Sequence, residues 1–120
     1  MELIKITNTN IELIDDVMEM IADEWGDTFS SSKSEKALKF KNSISKGEKY
    51  HQAYILKLKN DNIGSFLILE HELKDSDLSP WLACVVVNKK YRGQGYGGIL
   101  LDYIKDVIEK NFSTIYLKPK

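Results

Sequence analysis

The chain of 120 residues holds one cysteine (Cys84), one arginine (Arg92) and two prolines. A single cysteine cannot close an internal disulfide and brings no companion thiol to a metal, so neither a disulfide framework nor a metal centre is expected. It lies within Leu82-Ala83-Cys84-Val85-Val86-Val87 with no charge nearby to lower its pKa, and reads as a small buried hydrophobe. Two prolines and seven glycines exclude a low-complexity or collagen-like chain. Long apolar runs are missing as well. The longest uncharged apolar stretches, Ile63 to Leu69 and Leu82 to Val87, are strand-sized, far below the roughly 18 residues of a membrane helix. The start, Met1-Glu2-Leu3-Ile4-Lys5, has an early acid and no signal-peptide core, so the cytoplasm is the expected compartment and no membrane partner is expected. A surplus of either charge is also absent. Eighteen acids against 17 bases leave a net charge of −1, which excludes a broad nucleic-acid footprint.

What is present is an ordinary globular composition: 42% apolar, 10% aromatic and 29% charged residues. This length suits one domain with one core. Leu3 to Thr7 alternates as a strand does. Thr9-Asn10-Ile11-Glu12 has the form of a capping box, and Ile11, Ile14, Val17, Met18, Ile21 and Trp25 then recur at helical spacing, which predicts an amphipathic helix ending near Gly26. Ser32-Lys33-Ser34-Glu35 opens a second helix with a thin apolar face (Ala37, Phe40, Ile44) and a stop at Gly47. Residues 1–27 hold eight acids and one lysine, whereas residues 28–59 hold eight lysines and two acids. This asymmetry is compatible with two solvated helix faces, or with a surface turned toward a charged substrate.

Tyr50 to Leu58 and Ile63 to Leu73, joined by Lys59-Asn60-Asp61-Asn62, predict an antiparallel hairpin. Trp81 to Val87 is an uninterrupted apolar run and predicts a strand buried on both faces. A third helix is expected to about Lys110, with Ile99, Leu100, Tyr103, Ile104, Val107 and Ile108 as its core stripe, followed by a strand at Ser113 to Leu117. The order is β-α-α-β-β-β-α-β, an α/β layer of helices against a sheet.

Chemistry concentrates in Arg92-Gly93-Gln94-Gly95-Tyr96-Gly97-Gly98, which has four glycines in its last six residues and lies between a strand and a helix. Without Cβ atoms, successive N–H groups can turn into one concavity at the positive end of a helix, where phosphate oxygens fit. The sole arginine among 17 basic residues stands here, preceded by Lys89 and Lys90. Gly93-x-Gly95-x-x-Gly98 also matches the dinucleotide fingerprint, but the acidic residue expected about 20 positions on is replaced by Lys118. A P-loop would need Gly-Lys-Ser/Thr, which does not occur.

The hexapeptide Arg92 to Gly97 matches the Q/R-x-x-G-x-G/A signature, and with the element order and the approach Val85-Val86-Val87-Asn88-Lys89-Lys90-Tyr91 the whole chain resembles the GNAT N-acetyltransferase superfamily. The resemblance implies a mixed, mainly antiparallel sheet with helices on both faces, in an α+β acyl-CoA N-acyltransferase fold. It implies acetyl transfer from acetyl-CoA to a primary amine of a small molecule or protein, by direct attack in a ternary complex and without a metal. Backbone N–H groups of Arg92, Gly93, Gln94, Gly95, Tyr96, Gly97 and Gly98 are then expected to hold the pyrophosphate of coenzyme A. Backbone groups of Val85 and Val87 are expected to meet its pantetheine arm and to polarise the thioester carbonyl, with Lys89 or Lys90 toward the 3′-phosphate. The first two helices and the loop from Trp25 to Ser34 are expected to line the acceptor side.

Two departures accompany the resemblance. The glutamate that many relatives carry on the strand before the loop falls here at Ala83 and Cys84, which leaves Glu70, His71 and Glu72 as candidate bases, acting directly or through water. Relatives also continue with a helix, often bearing an acid tyrosine, and two further strands. Tyr96, Tyr103 and Tyr116 do not match that tyrosine, so residues 1–120 are expected to form one C-terminally shortened domain. Three outcomes stay open: an active acetyltransferase, a catalytically silent acyl-CoA-binding module, or a domain completed by a homodimer that covers the open sheet edge.

Overall fold

The structure, a computed structural model, describes residues 1–25, 33–47, 51–69 and 80–117. Its elements are β1 (Glu2–Lys5), α1 (Leu13–Trp25), α2 (Lys33–Ser45), β2 (Gln52–Leu58), β3 (Asp61–Leu69), β4 (Trp81–Val87), α3 (Tyr96–Asn111) and β5 (Tyr116–Leu117), in the expected order. The sheet runs β1-β2-β3-β4-β5; the first three pairings are antiparallel and β4 pairs with β5 in parallel. A mixed, mainly antiparallel α+β fold is therefore what the chain adopts.

Strand alternation divides the core in two. Ala53 and Ile55 of β2, Leu67 of β3 and Val86 of β4 pack with Ile14, Val17, Met18 and Ile21 of α1 and Ala37 of α2. On the opposite face Tyr54, Leu56, Phe66, Ile68 and Leu82 pack with Leu100, Ile104 and Val107 of α3. Helices thus cover both faces. Ile14, Ile55, Leu56 and Phe66 are fully buried, and each such side chain contributes about 2 kcal/mol by leaving water. Across the helix pair, Lys41 Nζ of α2 meets Asp15 Oδ2 of α1 at 2.9 Å, so one contact between the acid-rich and lysine-rich segments is internal.

Several local expectations are corrected. The first helix does not start from a Thr9–Glu12 capping box. Thr7 forms the box instead: its hydroxyl accepts from Thr9 N, and its own N–H donates to Asn10 Oδ1 at 2.6 Å, which fixes a 3₁₀ turn at Asn8–Asn10 and delays α1 to Leu13. The same turn ends β1 at Lys5 rather than Thr7. In the hairpin, Leu58 pairs with Asp61, so only Lys59 and Asn60 form the turn, with Lys59 in the left-handed region at φ +56°. Tyr50 and residues 70–73, read as strand ends, lie outside the described residues. Gly47 does stop α2, at φ +72° with its N–H on the Ile44 carbonyl at 3.0 Å. The last strand is shorter than expected, only Tyr116–Leu117, anchored by Tyr116 N–H on the Pro80 carbonyl at 2.9 Å.

Candidate functional site

The continuous burial expected of β4 fails at its centre. Leu67 pairs with Ala83 and Ser65 with Val86, so Cys84 and Val85 together stand opposite Phe66. This is a β-bulge, and Cys84 carries it at φ +52°. The bulge turns Val85 outward to 37% exposure, between Ala83 at 7% and Val86 at 4%. Cys84 is consequently half-buried at the edge of the α1-side core rather than sealed within it. Beyond Leu82, β4 has no strand neighbour on its β5 side among the described residues, because β5 pairs only with Trp81 and Leu82. Among the described residues, no strand therefore pairs with that edge from Val85 to Val87.

Asn88 converts the end of β4 into a loop. Its N–H donates to the Ile63 carbonyl at 2.7 Å and its Nδ2 to the Asn62 carbonyl at 2.8 Å. Its Oδ1 accepts from Lys90 N at 3.1 Å and its carbonyl from Tyr91 N at 2.8 Å, which sets a 3₁₀ turn over Lys89–Tyr91. Tyr91 then donates its hydroxyl to Asp61 Oδ2 at 2.6 Å and meets Tyr96 edge-on, ring centres 5.6 Å apart. That hydrogen bond, more than desolvation, raises the Tyr91 pKa above its usual value. Gln94 Nε2 donates to the Lys90 carbonyl at 3.2 Å.

Gly95, at φ +87°, is the N-cap of α3 and offers no side-chain cap. The first N–H groups of a helix have no partner within it, and no Ser, Thr or Asp here supplies one. A Cβ on Gly93, Gly95 or Gly98 would meet no atom within 4 Å, and on Gly97 only Val87 Cγ2 at 4.0 Å. Protein packing thus does not require glycine at 98, where a helical glycine costs about 1 kcal/mol relative to alanine. The space beside the backbone at these glycines is open, so a ligand could approach it closely. The geometry suits a diphosphate, with Lys89 and Lys90 exposed beside it.

Arg92 behaves differently from its neighbours. Its Nε donates to the Val87 carbonyl at 3.1 Å and its Nη2 meets Glu24 Oε2, at the end of α1, at 2.6 Å. The guanidinium is thereby committed to protein partners, and the Val87 carbonyl has one of its two acceptor directions occupied. Sequence reading missed Glu24, which is one of eight acids in residues 1–27 and has no local signature.

The catalytic candidates Glu70, His71 and Glu72 lie outside the described residues, as does most of the loop from Trp25 to Ser34. β3 ends at Leu69 opposite Trp81, and β4 itself carries no carboxylate. Among the described residues no group of three His, Cys, Asp or Glu side chains could hold a metal, and no helix is long and apolar enough to cross a membrane. A half-open cavity of about 430 Å³ at the β1 edge, lined by Lys5, Thr7, Asn8, Ile44 and His51 among others, includes no residue of the glycine loop.

Comparison with known proteins accords with this geometry. A sequence model of the Acetyltransferase (GNAT) family matches residues 14–119. A possible acetyltransferase from Clostridium difficile 630 superimposes with a TM-score of 0.74 at 15% identity, covering 99% of this chain and 79% of its own. An aminoglycoside acetyltransferase from an uncultured soil metagenomic sample, in complex with sisomicin, gives 0.72 at 13% identity over 99% and 77%. A predicted acetyltransferase with acetyl-CoA from Clostridium acetobutylicum gives 0.64 at 15% identity over 99% and 80%. At these identities the likeness establishes the fold. No curated protein matches the chain.

Proposed function

The chain belongs to the acetyltransferase (GNAT) family, and on that premise we propose that it transfers an acetyl group from acetyl-CoA to a primary amine. The observation that carries this reading is the glycine loop at the N-terminus of α3, directly after the bulged and open-edged end of β4. Acetyl-CoA supplies the activated thioester. Backbone N–H groups from Arg92 to Gly98 hold the diphosphate, and the β4 edge at Val85 and Val87 aligns the pantetheine arm. An N–H at the bulge polarises the thioester carbonyl as negative charge develops on its oxygen.

The amine nitrogen attacks the carbonyl carbon; the C–N bond forms, the C–S bond breaks, and the proton that the nitrogen sheds on becoming an amide balances the one the departing thiolate takes up. The substrate ammonium must first lose a proton, and Glu70, His71 or Glu72 accepts it, directly or through water. β4 offers no carboxylate for that task. This absence favours a second reading, a silent acyl-CoA-binding module, as the alternative to be tested.

The acid-rich α1 suits a cationic acceptor, such as a polyamine, a lysine side chain or an aminoglycoside. The similarity to a sisomicin-bound aminoglycoside acetyltransferase agrees with that choice. We place the reaction in the cytoplasm, and a second copy of the chain is the partner suited to the open sheet edge. Calorimetric titration with acetyl-CoA tests the loop: saturable one-to-one binding is expected, and absence of heat at millimolar ligand contradicts it.

A further inference from the structure

Arg92 is the sole arginine of the chain, and its side chain is engaged at both Nε and Nη2. It turns back on the protein, where one guanidinium joins three elements: the last turn of α1 through Glu24, the end of β4 through the Val87 carbonyl, and the loop through its own backbone. A guanidinium can make both contacts at once because Nε and Nη2 are separate donors in one rigid plane. The compact ammonium of a lysine on a flexible stem lacks that fork. α1 also packs against the 3₁₀ turn over Lys89–Tyr91, so the ion pair closes a contact that already brings the two segments together.

We infer that Glu24 is a positioning residue: through Arg92 it holds the glycine loop in the shape that presents its backbone N–H groups to the diphosphate of coenzyme A. The inference rests on the reading of that loop as the coenzyme A site. It predicts a sign that a phosphate-binding arginine would reverse. If Arg92 served the phosphates directly, Glu24 would compete for the guanidinium and add negative charge beside the ligand, and neutralising it would tighten binding. If Glu24 positions the loop, neutralising it loosens the loop and weakens binding.

The pair is partly solvated, with side chains 44% and 38% exposed, so its effect is modest. Glu24→Gln and Arg92→Gln are each expected to raise the coenzyme A Kd about threefold, and the double variant no further than either single one. Lys41→Gln breaks a second α1 ion pair, Lys41–Asp15, and is expected to leave the Kd unchanged, which separates positioning from general loosening of α1. Because the chain has one arginine, its Nε–H gives a single side-chain signal in an amide-type NMR spectrum. That signal is expected to show backbone-like rigidity in the unliganded parent and to become mobile in Glu24→Gln. Tighter or unchanged coenzyme A binding in Glu24→Gln overturns the inference, as does an additive double variant. Should the parent itself fail to bind coenzyme A, the reading of the loop falls. The Arg92 signal then decides the positioning role alone, and equal mobility with and without the Glu24 carboxylate overturns it.

Discussion

The hydroxyl of Tyr91 donates to Asp61 Oδ2 across 2.6 Å and so fastens the residue before the glycine loop to the tip of the β2–β3 hairpin. The bond needs the phenol proton, and Tyr91 accordingly has a pKa raised above its ordinary value of 10.0, through that hydrogen bond first and desolvation second. A raised folded-state pKa contributes stability that is present below the unfolded value and lost as pH rises through the folded one. Unfolding free energy of the parent protein is therefore expected to fall above about pH 10. In Tyr91→Phe the fall is expected to be shallower, the residue of it belonging to buried Tyr54, whose pKa is also raised. Urea titrations between pH 8 and 11 measure this, and superimposable pH profiles for the two proteins would refute it.

Gly64 lies where β3, β4 and α3 converge. A Cβ there would stand 2.7 Å from the Val86 carbonyl oxygen and 3.1 Å from Leu100 Cδ2. The carbonyl belongs to the strand backbone and cannot swing aside as a side chain can. Gly64→Ala is expected to destabilise the fold by about 1–3 kcal/mol, as overpacking of a dense core does. A urea midpoint equal to that of the parent would show that β4 yields more readily than its pairing implies.

Gly95 presents the opposite case, because space around it is open and the constraint is conformational. At φ +87° a side chain is disfavoured by roughly 1–2 kcal/mol, so Gly95→Ala should fold with a lowered midpoint. Gly95→Glu should also fold, by circular dichroism, yet lose coenzyme A binding, since it adds a carboxylate beside the anion-binding N–H groups. Unchanged affinity in the folded Gly95→Glu protein would remove the loop from the proposed site.

The elements that sequence pattern revealed most clearly are those whose pattern is local. The α1 stripe from Ile14 to Ile21 was legible because burial determines it, β4 because its apolar run is strand-sized even though Cys84 and Val85 escape full burial, and the turn at Gly47 because glycine is the residue that left-handed φ favours. The bulge in β4 was not. It places φ +52° on Cys84, a residue with no preference for that region, and it arises from the register between β3 and β4. The turn before the first helix is less legible because Thr7 and Thr9 both suit a cap, and the hydroxyl that accepts is that of Thr7, from Thr9 N. In the site, the glycines were legible as a motif, but the Arg92–Glu24 pair joins segments far apart in the chain, with no periodicity to announce it.

Acetyl transfer itself is tested most directly by thiol release. The purified chain is incubated with acetyl-CoA and a panel of primary amines that includes a polyamine, a lysine peptide and an aminoglycoside, and free coenzyme A thiol is followed with time. Amine-dependent release is expected from the parent protein for at least one acceptor, and none from Gly95→Glu. Saturable acetyl-CoA binding with no release for any amine would contradict it and leave a silent acyl-CoA-binding module in its place.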